Sequence, residues 1–252
     1  MVYIKKFETH SDYETYIEGE ALLPNVSKCA DDGPNEVHYN SIKVQPNNEI
    51  WYTTTTNETI DPSDFYVGVA VVSNEYDGKM CVIRFEEDII DITALFYNDG
   101  REEDETQLLT VQIPETVEII GDYTFYDCSS LTSITIPNSV TNIGNCAFQN
   151  CNDLTSVTIP SGVTSIGDEA FAGCNDLTAV TIHNSVTSIG EGAFYDCANL
   201  TTMTIEATMP PTLGAHAISD ATTTIYVPSE SVNAYKKASN WSAFASKIQP
   251  IQ

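Results

Sequence analysis

"LTSVTIPSGVTSIGDEAFAGCND" spans Leu154 to Asp176, and "LTAVTIHNSVTSIGEGAFYDCAN" follows it from Leu177 to Asn199. The two stretches are one pattern written twice, and their period of 23 residues decides the fold. Leu108, Leu131, Leu154, Leu177 and Leu200 open successive copies. Within a copy, Val157, Thr158 and Ile159 alternate as a strand does, and the glycine turn with "DEAF" predicts a short helical turn.

A single copy is too small to hide its own apolar edge, so copies must stack and share a core. Stacking pairs neighbouring strands in a parallel sheet at about 4.8 Å. Equal offsets then become ladders. Ile136, Ile159, Ile182 and Ile205 line the sheet layer, and Phe125, Phe148, Phe171 and Phe194 line the opposite wall. Gly121, Gly144, Gly167, Gly190 and Gly214 mark the turn, where positive φ or close backbone approach is expected. The fold class is therefore α/β: a solenoid with a parallel β-sheet on one face.

Such a stack needs both ends closed. At the C-terminus a last strand, Ile225 to Val227, precedes a predicted capping helix over 229–252 with Ser229 as N-cap. Its apolar face would carry Val232, Tyr235, Trp241, Phe244 and Ile248. The copy from Leu200 to Ala221 is degenerate, with Pro210 and Pro211 inside it and Ile218 in the phenylalanine position. Upstream, Ile83, Phe85, Ile89 and Ile92 imitate a diverged first copy, followed by the acidic insertion "GREEDET". The solenoid is expected over 82–228. Residues 1–81 lack the period and read as a separate small α+β or mainly β module: "SDYETYIEGEALL" as a short helix, "EVHYNSIKV", "EIWYTTTT" and "FYVGVAVVSNEYDGKMCVIRF" as strands.

The chain has 252 residues, 42% of them apolar, enough for a substantial core. Thirty-six acidic residues face 10 basic ones, a net charge of −26 that repels phosphate backbones and anionic lipid alike. Nucleic acid is thereby excluded as a partner class. No Lys or Arg lies between Arg101 and Lys236. No stretch approaches the length of a membrane span, and no apolar run follows the lysines of "MVYIKKFETH", so neither membrane insertion nor a visible export signal is expected.

Cys128, Cys151, Cys174 and Cys197 recur at the repeat period. Parallel stacking sets them in poor disulfide geometry, and no Cys-x-x-Cys or Cys/His pair accompanies them, so they read as small apolar fillers of a narrow corner. Cys146 falls at a slot filled by Glu169 and Gly192 in later copies and is the best candidate for a reactive thiol. His183 and His216 occupy unrelated offsets. The runs "FEEDIID" and "REEDE" lack the spacing of a calcium loop and read as solvated acid. No nucleophile motif or phosphate loop is present, and the expectation is of no enzyme, no cofactor and no metal.

The surface that remains is the outer face of the parallel sheet. Ser133, Thr135, Ser156, Thr158, Ala179, Thr181, Thr202 and Thr204 should point outward, a flat uncharged strip of donors and acceptors suited to an extended protein or sugar chain. The plainer account is that Thr is simply a good solvent-facing strand residue. All but Ala179 are the candidate ligand-binding residues.

The copies "LTSITIPNSVTNIGNCAFQNCND" and "LTSVTIPSGVTSIGDEAFAGCND" resemble the BspA-like class of bacterial leucine-rich repeat, L-x-x-I-x-I-P-x-x-V-x-x-I-G-x-x-A-F-x-x-C-x-x, over roughly 82–228. The pattern departs from the commoner asparagine-ladder form, since Ser139, Gly162 and Ser185 hold that position. "YVPSESVNAYKKASNWSAFASKI" resembles the terminal segment of such proteins from gut bacteria, and residues 5–40 resemble leader modules of gut-bacterial and bacteriophage proteins. The resemblance implies a non-enzymatic, cell-surface or secreted protein that binds protein or glycan through its repeats. The alternative is a structural or receptor-binding appendage of a virion or cell envelope, with residues 1–81 mediating attachment or self-association.

Overall fold

The computed structural model describes residues 2–6, 26–33, 36–41, 47–60, 70–76, 79–98, 107–219 and 223–252. The chain forms two compact units, Met1–Pro46 and Asn47–Gln252. In the first, β1 (Val2–Lys6), β2 (Val26–Gly33) and β3 (Glu36–Ser41) make an antiparallel sheet in the order β1-β3-β2. The helix expected from "SDYETYIEGEALL" lies outside the described residues.

The second unit is built on the period. Its outer sheet begins with β4 (Glu49–Thr54), β5 (Val71–Tyr76), β6 (Cys81–Phe85) and β7 (Leu108–Gln112). Each later coil adds a long strand and then a two-residue strand: β8 (Ile119–Ile120), β9 (Ser133–Thr135), β10 (Asn142–Ile143), β11 (Ser156–Ile159) and β12 (Ser165–Ile166). The series continues with β13 (Ala179–Ile182), β14 (Ser188–Ile189), β15 (Thr202–Ile205), β16 (Thr212–Leu213) and β17 (Thr224–Val227). It ends at β18 (Ile248–Pro250).

The parallel solenoid expected from the sequence is therefore present. Long strands pair in the order β11-β13-β15-β17-β18, and the short strands form a second parallel sheet, β16-β14-β12-β10-β8. Register follows the period: Val157 pairs with Val180 and Val180 with Met203, all buried. The core lies between this sheet and the phenylalanine wall, where Phe148 stacks on Phe171 at 4.9 Å and Phe171 on Phe194 at 5.3 Å. These two contacts give the coil-to-coil step directly.

The "DEAF" segment is a chain of turns, not the helical turn expected. Its amides bond alternately within the coil, as Ala172 to the Glu169 carbonyl, and to the next coil, as Phe171 to the Ala193 carbonyl at 2.8 Å. Glu169 adopts φ 53, so the i−4 bonds of a helix cannot propagate through it. Of the two reasons expected for the glycine ladder, close approach is the one observed. An added Cβ at Gly167 would stand 2.5 Å from the carbonyl carbon of Gly144 in the coil before.

The two units divide after Pro46, whereas the lost period placed a boundary at 81. The strands of 49–85 complete the solenoid: β4 pairs antiparallel with β6 on one side and with β7 on the other. The first parallel strand needs a hydrogen-bonding neighbour, and β4 supplies it without carrying the repeat pattern. The diverged first copy is consequently a half coil. Cys81–Phe85 belongs to the antiparallel sheet, while Ile89, Ile92, Leu95 and Phe96 are buried and Phe96 stacks on Phe125 at 5.7 Å.

The C-terminal cap is helical only in short pieces: a 3-10 turn at Ser229–Ser231, α1 (Val232–Tyr235) and a 3-10 turn at Trp241–Phe244. The continuous helix expected over 229–252 is broken at Asn240, φ 62, and Ile248 lies in β18, which pairs with β17. Ser229 makes no cap bond; Ser231 instead donates to the Thr208 carbonyl at 2.8 Å. The apolar residues still do the closing. Trp241 and Tyr235 are buried edge to face, and the indole Nε1 donates to the Pro211 carbonyl at 2.7 Å.

Candidate functional site

Strand pleating sends every second side chain of the long strands to solvent. Ser133, Thr135, Ser156 and Thr158 are exposed, and Thr181, Thr202 and Thr204 are half-exposed, while their neighbours Val157, Val180 and Met203 are buried. In register, Thr158, Thr181 and Thr204 form one row, and Ser156, Ala179 and Thr202 a second. The rows run on to Tyr226 and Thr224, which sequence reasoning left out although "TIYV" alternates in the same way. At the other end Thr110 and Gln112 extend them beside Ser133 and Thr135.

The strip is not continuous. β9 pairs with β7 and β11 with β13, but no ladder joins β9 to β11. Elsewhere the linking bonds are regular, as from the Thr178 amide to the Thr155 carbonyl at 3.0 Å and from the Thr132 amide to the Leu109 carbonyl at 3.1 Å. At this seam lies a depression of about 290 Å³ lined by Ile134, Thr135, Ile136, Asn138, Ser156, Val157, Thr158, Pro160 and His183. Thus the structure gathers Thr135, Ser156 and Thr158 around one concavity and leaves Ser133, Thr181, Thr202 and Thr204 on the flanking face. His183, in the slot of Pro160, closes the lip and contacts Glu206 through Nδ1 at 2.5 Å.

The thiols are not a second site. Cys128, Cys151, Cys174 and Cys197 are free and buried, and each Sγ–H donates to a phenylalanine carbonyl: Phe96, Phe125, Phe148 and Phe171 in turn. Burial pushes all four thiols up, Cys197 to about 12. Cys146 is half-buried at φ 52, and burial raises its thiol as well, against a lowering contact from Tyr123. Raised thiols are poor nucleophiles. Among the described residues no three His, Cys, Asp or Glu side chains converge as metal ligands, and no helix is long and apolar enough to cross a membrane.

The family described as "BspA type Leucine rich repeat region" matches residues 103–224 in six copies. Among solved structures, the T. pallidum leucine rich repeat protein is 23% identical, with a TM-score of 0.44 over 54% of this chain and 74% of that one. A leucine rich cell surface protein from Faecalibacterium prausnitzii A2-165 is 30% identical, TM-score 0.41, over 67% of this chain and 52% of that one. A leucine-rich repeat protein from Bacteroides ovatus ATCC 8483 is 19% identical, TM-score 0.29, over 75% and 76%. The chain therefore spans about half of the F. prausnitzii protein. No curated protein matches it.

Proposed function

Residues 103–224 being a BspA-type leucine-rich repeat region, we propose that the chain is a non-enzymatic binding or adhesion protein that holds an extended protein or glycan chain on its outer sheet face. The observation that carries this reading is the seam between β9 and β11. The hydroxyls of Thr135, Ser156 and Thr158 flank the concavity there and offer donors and acceptors to an extended chain, with none of the Lys or Arg side chains that would signal an anionic ligand. Repeat stacking makes the platform rigid, so little conformational entropy is lost on binding.

The test is retention of the intact protein on arrays of host proteins and glycans, repeated with Thr158→Arg/Thr181→Arg. Specific retention lost in the variant supports the reading. Retention unchanged in the variant moves the contact off this face.

A further inference from the structure

On the turn side of the solenoid, one offset is held in successive coils by Tyr126, Gln149, Ala172 and Tyr195. Ala172 is therefore a gap in a row of long side chains, and its coil spacing is that of the stacked rings, 4.9 and 5.3 Å. Gly173 and Gly192 continue the gap sideways, where sister coils carry Asn150 and Glu169. The missing side chains leave a basin of about 510 Å³. Tyr195, 57% exposed, stands as one wall, and Gln149 and Asn150 form the other. Gly173 at φ 74 lets the coils close up beneath: a Cβ there would lie 2.5 Å from Asn150 Oδ1.

We propose that this basin is a subsite for a neutral saccharide, with one sugar ring laid against Tyr195 and its hydroxyls bonded to Gln149, Glu169 and Asp196. Exposed phenol rings beside a preformed concavity with a few polar groups are a small-ligand arrangement. Gln149 Nε2 already donates to Glu169 Oε2 at 2.7 Å. A sugar hydroxyl both donates and accepts, so it joins both members of that amide–carboxylate pair. A guanidinium or ammonium only donates, so it would use carboxylate lone pairs that Gln149 leaves free without engaging the Gln149 N–H, and tri-arginine in the experiment tests for it. Anionic sugars are disfavoured by Glu169, Glu191 and Asp196 together with a net charge of −26. The site lies on a different side of each coil from the sheet-face seam, and it stands or falls separately.

The experiment titrates the intact protein by calorimetry and ¹H–¹⁵N NMR with maltotriose, cellotriose, mannotriose and triacetylchitotriose, and with tri-arginine as a basic probe. At least one saccharide is expected to bind with a dissociation constant of about 1 mM or tighter. Ala172→Tyr fills the basin with a residue that two sister coils carry at the same offset, so it should fold and weaken binding by about tenfold or more. Tyr195→Ala should do the same, while Tyr195→Phe should retain binding within about threefold, because the ring and not the hydroxyl makes the stack. No binding by any of the four at about 10 mM, binding insensitive to Ala172→Tyr, or displacement of that role to tri-arginine overturns the proposal.

Discussion

The Cys174 thiol donates to the Phe148 carbonyl at 3.2 Å, from one coil to the one before, in a corner that water does not reach. The same carbonyl also accepts the Cys151 amide at 3.2 Å. Cys174→Ala removes one of two donors and leaves a small void, so it should destabilise by about 1–2 kcal/mol, and Cys174→Ser by less if the hydroxyl keeps the bond. Urea denaturation of the two variants checks the order. Equal stability of Cys174→Ala and the parent would reduce the ladder to mere filling.

The same burial sets a pH limit. The folded values of Cys128, Cys151, Cys174 and Cys197 lie above the ordinary thiol range, with Cys197 at about 12. Below about pH 8.5 these thiols are neutral in both states and their contribution is complete. Above it the unfolded chain releases protons that the folded chain keeps, so stability falls, by up to about 1.4 kcal/mol per thiol per pH unit, until the folded values are reached. Thermal melts should hold steady from pH 7 to 8.5 and drop above 9. Replacing all four by alanine should flatten that drop while lowering the melting point throughout.

Two serines at one offset should respond in opposite directions. Ser139 Oγ donates to the Val117 carbonyl at 2.7 Å, whereas Ser185 Oγ is shut from water without a partner. Ser139→Ala should lose about 1 kcal/mol, and Ser185→Ala should be neutral or gain up to about 1 kcal/mol. Chemical denaturation with matched m-values decides this.

Gly167→Ala should be among the most damaging single-methyl changes in the chain. The new Cβ would meet the backbone of Gly144 at 2.5 Å, and that backbone is itself stacked on Gly121. Because neighbouring coils hold each other by cross-coil bonds such as Gly167 N–H to the Ile143 carbonyl at 2.8 Å, the loss should exceed about 2 kcal/mol and spread beyond one repeat. Hydrogen exchange across 131–199 would show the spread, and exchange raised in a single coil alone would argue against it.

The period made the solenoid legible because stacking converts equal offsets into contacts, as in Val157–Val180–Met203. What it hid were features that do not repeat. Trp51 and Tyr52 sit in β4, which serves the first coil through antiparallel pairing and so carries no 23-residue signature. The seam was equally silent: "LTSITIP" and "LTSVTIP" differ only at Ile134 and Val157, yet the ladder between their strands is missing. Asn240 in the left-handed region broke a helix whose apolar spacing read as continuous, since local turn geometry overrode periodicity there. The strip's residues were legible, but their grouping around one concavity was not, because it depends on the distance between strands.

Binding at the sheet face around the β9–β11 seam is checked by measuring retention of the intact protein and of Thr158→Arg/Thr181→Arg on one array of host proteins and glycans. Neither Thr158 nor Thr181 is buried, so the variant should stay folded, with a small loss of stability from two arginines placed opposite each other. Specific retention by the parent with loss of about tenfold or more in the variant is the predicted result. Retention that the two arginines leave intact, or none by the parent, would contradict it.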